Sequence, residues 1–232
     1  MPDELQVPSV PASLASEPER HSITKGVTVD LDDLQALVGN LGTARRLVAI
    51  AGAPGSGKST LTDHLIAQLN AARPGIAAVL PMDGYHFDDR VLVPRGLRPR
   101  KGAPETFDVA GLRHMLKRLG QDDEEVAVPV FDRDIEIARA AGRLIPQTAR
   151  IIVVEGNYLL LDRKPWSDLH PWFDVTVMLR VPVAVLRQRL TVRWDGYGLS
   201  ADEVRDKVEA NDLPNGVLVM DDSITADYVL QG

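Results

Sequence analysis

The sequence predicts an α/β fold built on a mainly parallel sheet with helices on both faces. Three observations point to it. Runs of strand length such as "RLVAIAG" at 46–52 and "RIIVVEG" at 150–156 are apolar nearly throughout, as strands covered on both faces are. Stretches of helical period lie between such runs, the alternation that a sheet with helical crossovers produces. A glycine-rich segment, "GAPGSGKST", occupies one strand-to-helix junction.

The elements follow in order. Residues 1–25 are rich in Pro, Ser and Glu with little apolar periodicity, which predicts a mobile tail, and 26–232 are expected to form one domain. From Asp30 to Leu41, "DLDDLQALVGNL" sets Leu31, Leu34, Leu37, Val38 and Leu41 at helical spacing, predicting an amphipathic helix. After the strand at 46–52, "KSTLTDHLIAQLNAA" carries Leu61, Leu65 and Leu69 on one helical stripe. "GIAAVL" at 75–80 reads as a short buried strand and "VAGLRHMLKRL" at 109–119 as a helix. Strands are expected at 150–156 and in "DVTVMLRV", a helix in "PVAVLRQRLTVRW", and a last strand in "ADYVL".

Of the 232 residues, 44% are hydrophobic and 25% charged, as in ordinary globular chains. No apolar run reaches the ~20 residues of a membrane span, and the N-terminus lacks a basic start and an apolar signal core, so a cytoplasmic location and no membrane partner are expected. The absence of cysteine excludes disulfides and thiolate chemistry. A formal net charge of -7 argues against broad nucleic-acid binding, which needs excess Lys and Arg on phosphates. The expected partner is a small molecule, with a homodimer as an assembly the sequence permits.

The segment from Gly52 to Thr60 fits G-x-x-x-x-G-K-[ST] through Gly52, Gly57, Lys58 and Ser59. A chance match somewhere in the chain is on the order of one in a hundred, and the flanking strand and helix are the context that the chemistry needs. The loop of Gly52, Ala53, Pro54, Gly55, Ser56 and Gly57 wraps its backbone close to phosphate oxygens, every residue but Pro54 carrying an N–H donor. Lys58 reaches the outer phosphates, Ser59 suits Mg²⁺, and Thr60 opens the helix whose N-terminus attracts anions. An Asn-Lys-x-Asp motif of GTPases and a Leu-Ser-Gly-Gly signature of transporter ATPases are both absent from the sequence, which leaves metabolite kinases and NTPases of other purpose.

Two acids follow apolar runs. Asp83, in "PMDGYHFDDR", and Glu155, ending "RIIVVEG", are both expected at the carboxyl edge of the sheet, where open α/β folds bind ligands. There Asp83 can take a proton from an incoming hydroxyl, and Glu155 stands where nucleotide-binding enzymes keep an acid that orders Mg²⁺. An Asp-Gly pair also suits an ordinary turn, so it is the second acid that turns the pair into a site.

The order of "GAPGSGKST", "MDGYHFD", "KGAPETFD", "PVFDRD", "VVEGNYLL", "LRVP", "RQRLTVRW" and "NDLPN", across residues 45 to 230, resembles the phosphoribulokinase, uridine kinase and bacterial pantothenate kinase family. Within it the chain most resembles a bacterial subgroup of kinases whose names link them to fructose uptake. The resemblance implies a P-loop NTPase three-layer sandwich with a helical lid, the lid and substrate segments falling around 84–107 and 187–215. It implies transfer of the γ-phosphoryl of ATP, with Mg²⁺, to a metabolite hydroxyl. Catalytic roles fall on Asp83 as base, Lys58, and Arg193 as a lid arginine; metal-binding roles fall on Ser59 and Glu155. Asn211 and Asn215 resemble paired asparagines of the pantothenate kinase branch.

Substrate contacts are expected from Tyr85, His86, Arg100, Lys101, Phe131, Asp132, Arg133, Asn157 and Asn211. "PVFDRD" departs from the Tyr-Asp-Tyr stretch of uridine kinases and the Tyr-Ser-His stretch of pantothenate kinases. The acceptor is therefore open among a sugar, which is favoured, a nucleoside and pantothenate. A regulatory module that binds ATP without any acceptor is the reading from another class; it would need neither a base nor an acceptor pocket.

Overall fold

The computed structural model describes residues 25–121 and 124–232, so the expected tail lies, Lys25 apart, outside the described residues. The chain runs β1 (Val27–Thr28), α1 (Leu31–Gly39), β2 (Arg46–Gly52), α2 (Lys58–Ala72), β3 (Ala77–Pro81), α3 (Asp89–Leu92), α4 (Val109–Gly120), β4 (Val126–Asp132) and β5 (Ile137–Ile145). It continues through β6 (Ile151–Gly156), β7 (Val175–Arg180), α5 (Val183–Asp195), α6 (Ala201–Lys207), α7 (Leu213–Asp221) and β8 (Tyr228–Gln231). Short 3-10 segments at Met82–Tyr85 and Trp166–Trp172 and a π-helical turn at Val208–Asp212 interrupt the regular elements.

Six strands form one sheet in the order β1-β8-β7-β2-β6-β3, every pair parallel. Successive side chains of a strand point to opposite faces, so β2 sends Val48 and Ile50 to one core and Leu47, Ala49 and Ala51 to the other. Leu34 and Val38 of α1, Leu61, Leu65 and Leu69 of α2, and Leu186 and Leu190 of α5 close the first face. Leu112, Leu116 and Leu119 of α4, with Trp166 and Leu169, close the second. Asp30 and Asp108 cap α1 and α4, each accepting from a backbone amide three residues on, at 2.8 and 2.9 Å. The three-layer α/β architecture read from the sequence is the architecture of the molecule.

The largest departure is an antiparallel hairpin, β4 with β5, for which the sequence pattern predicts no strand. The reason is local. β5, "IARAAGRLI", is exposed along almost its whole length and has no apolar alternation, so only its pairing with β4 makes it a strand. Trp166, 1% exposed, anchors the second core against Phe107 and Tyr158, with ring centroids 5.7 and 5.2 Å away. Trp166→Ala is expected to cost about 3–5 kcal/mol of unfolding free energy in denaturant titrations.

Candidate active site

The glycine-rich loop follows β2, whose register sets Ile50 beside Glu155 of β6, and Glu155 in turn beside Pro81 of β3. The carboxyl ends of three strands thus bring together residues far apart in sequence. Gly57 takes φ 96 at the start of α2, a left-handed conformation that side-chain-bearing residues resist, and this aims the first amides of the helix into the cleft. Arg189 of α5 donates to the Ser56 carbonyl at 3.0 Å and braces the loop from above. Lys58 is 6% exposed and donates to the Ala53 carbonyl at 3.0 Å. Burial pushes its ammonium pKa down, and the opposing charges of Glu155 and Asp83 only partly offset that.

Asp83 sits in the 3-10 turn after β3 rather than on the strand itself. Its neighbour is glycine because a Cβ there would stand 2.5 Å from the Pro129 carbonyl oxygen of β4, where the hairpin backbone crosses. Arg133, in the turn after β4, donates from Nη2 to Asp83 Oδ2 at 2.5 Å. Burial alone raises the Asp83 carboxyl, but Arg133, then His86, Lys58 and Arg193, outweigh it and hold the group below the usual carboxylate range.

Glu155 goes the other way. Burial raises its carboxyl, the charge of Asp83 adds to the rise, and Lys58 and the Ser59 hydroxyl offset it incompletely. The two neighbouring carboxyls are thus pushed in opposite directions by their surroundings. Ser59 Oγ donates to Glu155 Oε1 at 3.2 Å, so two hard oxygen donors meet at the mouth of the loop. That set fits Mg²⁺, which takes one or two protein oxygens and completes its shell with water and phosphate. No group of three or more His, Cys, Asp or Glu side chains able to hold a metal occurs among the described residues.

These groups open into a cleft of about 390 Å³. On the side of the loop it is lined by Pro54, Gly55, Gly57, Lys58, Ser59 and Thr60, with Arg193 of α5 over them. On the far side stand Asp83, His86, Lys101, Phe131, Arg133, Asn157 and Asn211. The His86 ring lies between Phe107 and Phe131, at centroid distances of 4.0 and 4.5 Å. Lys101 donates to Asp89 Oδ1 at 2.7 Å and to the Glu136 carbonyl at 2.6 Å; Asp89 also accepts from Arg98. Asn215 donates to Asn211, which donates to the Lys101 carbonyl, both at 3.3 Å, tying α7 to the far wall.

Three residues expected at the substrate face elsewhere. Tyr85 is buried in the second core, where burial pushes its phenol pKa up, and does not line the cleft. Arg100 points away and pairs with Glu105 at 2.8 Å. Asp132 is one residue beyond Phe131 on β4, so the pleat turns it to the opposite side, where it accepts from Arg139 across the hairpin at 2.9 Å. Gly52, Ala53 and Ser56 are buried and form the base of the loop rather than the cleft wall.

The sequence pattern also misses a cluster. Trp194 Nε1 donates to Asp212 Oδ2 at 2.7 Å, Tyr197 packs on Trp194 with centroids 5.6 Å apart, and Lys207 lies over the indole at 5.2 Å; all four line the cleft. The only sequence signal is an aromatic pair ending an arginine-rich helix. The partner acid comes from the π-helical turn, which no periodicity announces.

No family model matches the chain. A protein of Schizosaccharomyces pombe provisionally named uridine kinase C227.14 is 37% identical over 196 residues, covering 81% of this chain and 83% of that protein. The uncharacterized protein YggC of Escherichia coli K12 is 36% identical over 193 residues, covering 81% and 78%. The crystal structure of a provisionally named fructose transport system kinase from Silicibacter sp. TM1040 superposes with a TM-score of 0.78 at 44% identity, covering 84% of this chain and 98% of that one. With these relatives matching over most of their length and a phosphate cradle at the sheet edge, the chain belongs to the uridine-kinase-like family of P-loop kinases, which are ATP-dependent phosphotransferases.

Proposed function

We propose that the protein transfers the γ-phosphoryl group of ATP to a hydroxyl of a small neutral polyol, a free sugar foremost. The observation that carries this reading is the charge balance of the far wall. Its two cations are already engaged within the protein, Arg133 by Asp83 and Lys101 by Asp89 and a backbone carbonyl. A carboxylate-bearing acceptor such as pantothenate seated on this wall would have to break one of these pairs or reach Arg193 or Lys207 elsewhere on the lining, and stripping a partner from a half-buried charge is costly. A neutral polyol leaves both intact. Asn157 and Asn211 offer amides to pair its hydroxyls, and the mutually tilted rings of His86, Phe107 and Phe131 offer an aromatic wall.

In this reading the loop amides and the N-terminus of α2 bind the phosphates, and Lys58 and Arg193 meet the charge that shifts during transfer. Ser59 and Glu155 would hold Mg²⁺, which when bound neutralises charge on the β- and γ-phosphate oxygens. Arg133 occupies Asp83 Oδ2, so Oδ1 is left for the acceptor. The acceptor hydroxyl gives its proton to Asp83, its oxygen bonds to the γ-phosphorus, and the bond from that phosphorus to the β–γ bridging oxygen breaks to release ADP.

The test is the initial rate of ADP formation with fructose and other free sugars, uridine, cytidine and pantothenate at equal concentration, each against a blank without acceptor. Stimulation by one or more sugars is the expected result. Stimulation by a nucleoside or pantothenate alone would replace the acceptor class, and ATP binding without stimulation by any of them would favour a regulatory module.

A further inference from the structure

We propose that Arg133 is a positioning residue that holds Asp83 as a weakened base through Oδ2 and leaves Oδ1 to a seated acceptor hydroxyl, so that the β4–β5 hairpin favours transfer to the acceptor over transfer to water. The inference rests on the reading of Asp83 as the base. Three features of the cleft lead to it.

The carboxylate placed to act as base is already bound. Its partner comes from 50 residues away and has no role in building the sheet. The pair also joins a fixed group to an adjustable one. Asp83 is held in a short turn whose Gly84 lies against the Pro129 carbonyl, while Arg133 stands on the exposed turn of the hairpin with its side chain 47% exposed against 23% for Asp83. Finally, the guanidinium carbon lies 6.0 Å from the centre of the Phe131 ring, on the wall that lines the acceptor side of the cleft. An acceptor seated on that ring brings its hydroxyl to Oδ1 while the guanidinium stays on Oδ2.

The chemical need is specific. A free carboxylate beside the γ-phosphate serves water as readily as a sugar. A water proton would pass to Asp83, the water oxygen would bond to the γ-phosphorus, and the bond to the bridging oxygen would break, giving ADP and inorganic phosphate. A charge-assisted hydrogen bond on Oδ2 stabilises the carboxylate and makes it a weaker base toward a small, poorly held nucleophile. An acceptor seated on the wall offsets that loss through contacts that a water molecule lacks.

The experiment is acceptor-free ADP formation at saturating ATP and Mg²⁺ for the wild type, Arg133→Ala, Arg133→Lys, Asp83→Asn and the double variant Arg133→Ala with Asp83→Asn, with ATP affinity from calorimetry confirming an intact nucleotide site. Arg133→Ala is expected to raise acceptor-free hydrolysis on the order of tenfold, a fraction of what a general base supplies. Arg133→Lys, which keeps the charge but not the planar fork, falls between it and the wild type. The double variant returns to the level of Asp83→Asn alone.

Hydrolysis by Arg133→Ala at or below the wild-type rate overturns the proposal, a fall meaning that the guanidinium serves the transferring phosphoryl group instead. A gain that persists in the double variant also overturns it. Failure of the base assignment is seen separately, as acceptor-stimulated turnover that Asp83→Asn leaves unchanged.

Discussion

Asp83→Asn lowers kcat with the stimulating acceptor by roughly 10² to 10⁴, the range for loss of a general base, while ATP affinity measured by calorimetry stays near that of the wild type. The substitution keeps the shape of the side chain and removes the proton acceptor. The carboxylate is 23% exposed and is met by Arg133, so the amide leaves that guanidinium without its counter-charge at the mouth of the cleft. An extra uncompensated cation near bound phosphates does not weaken ATP binding, which is why rate and affinity separate.

The pH profile gives a second reading of the same group. Burial opposes ionisation, but Arg133, His86, Lys58 and Arg193 together hold the carboxyl below its ordinary 3.8. A base must be deprotonated, so the acid limb belonging to Asp83 lies below that value, and turnover does not fall on this account between pH 7 and 5. Retention of most of the wild-type kcat by the variant would return Asp83 to the role of a turn residue.

Lys58→Ala is the second large effect, and its signature is a split between binding and folding. Loss of a charged contact to the outer phosphates is worth about 1.5–3 kcal/mol, roughly tenfold to a hundredfold in ATP affinity, and turnover falls at least as far because the same ammonium meets charge that grows during transfer. The ligand-free protein behaves differently. Lys58 is 6% exposed with a carbonyl as its hydrogen-bond partner, and burial lowers its pKa, so the charged form is disfavoured in the fold. Removing it leaves the melting temperature of the ligand-free protein unchanged or higher. The rise in melting temperature that ATP gives the wild type shrinks with the lost affinity. Thermal melts with and without ATP measure both, and an unchanged ATP-induced shift would remove Lys58 from the phosphates.

The division between sequence and tertiary structure follows the range of the interactions involved. The strand at 46–52, the loop after it and the helix that follows are legible because their determinants are local: a run apolar on both faces, glycine at the left-handed position 57, and Leu61, Leu65 and Leu69 on one stripe. The two strand-end acids are legible for the same reason. What the sequence leaves undetermined is adjacency. The chain meets Lys58, Asp83 and Glu155 in that order, yet β6 inserts between β2 and β3 and puts Glu155 beside the loop, in hydrogen-bond reach of Ser59.

The far wall is settled by contact alone. Phe131 enters the cleft and Asp132 leaves it because pairing with the exposed strand β5 fixes the pleat of β4, and the turn that follows brings Arg133 to the cleft. Tyr85 is drawn into the core by its neighbours, and Asp212 reaches Trp194 because a π-helical turn shifts it by a fraction of a turn. Side-chain period and turn chemistry act over a few residues and are written in the order of the chain. Strand insertion, hairpin register and long-range ion pairs depend on packing between segments distant in sequence, and the choice of which cations stay free for a ligand is made there.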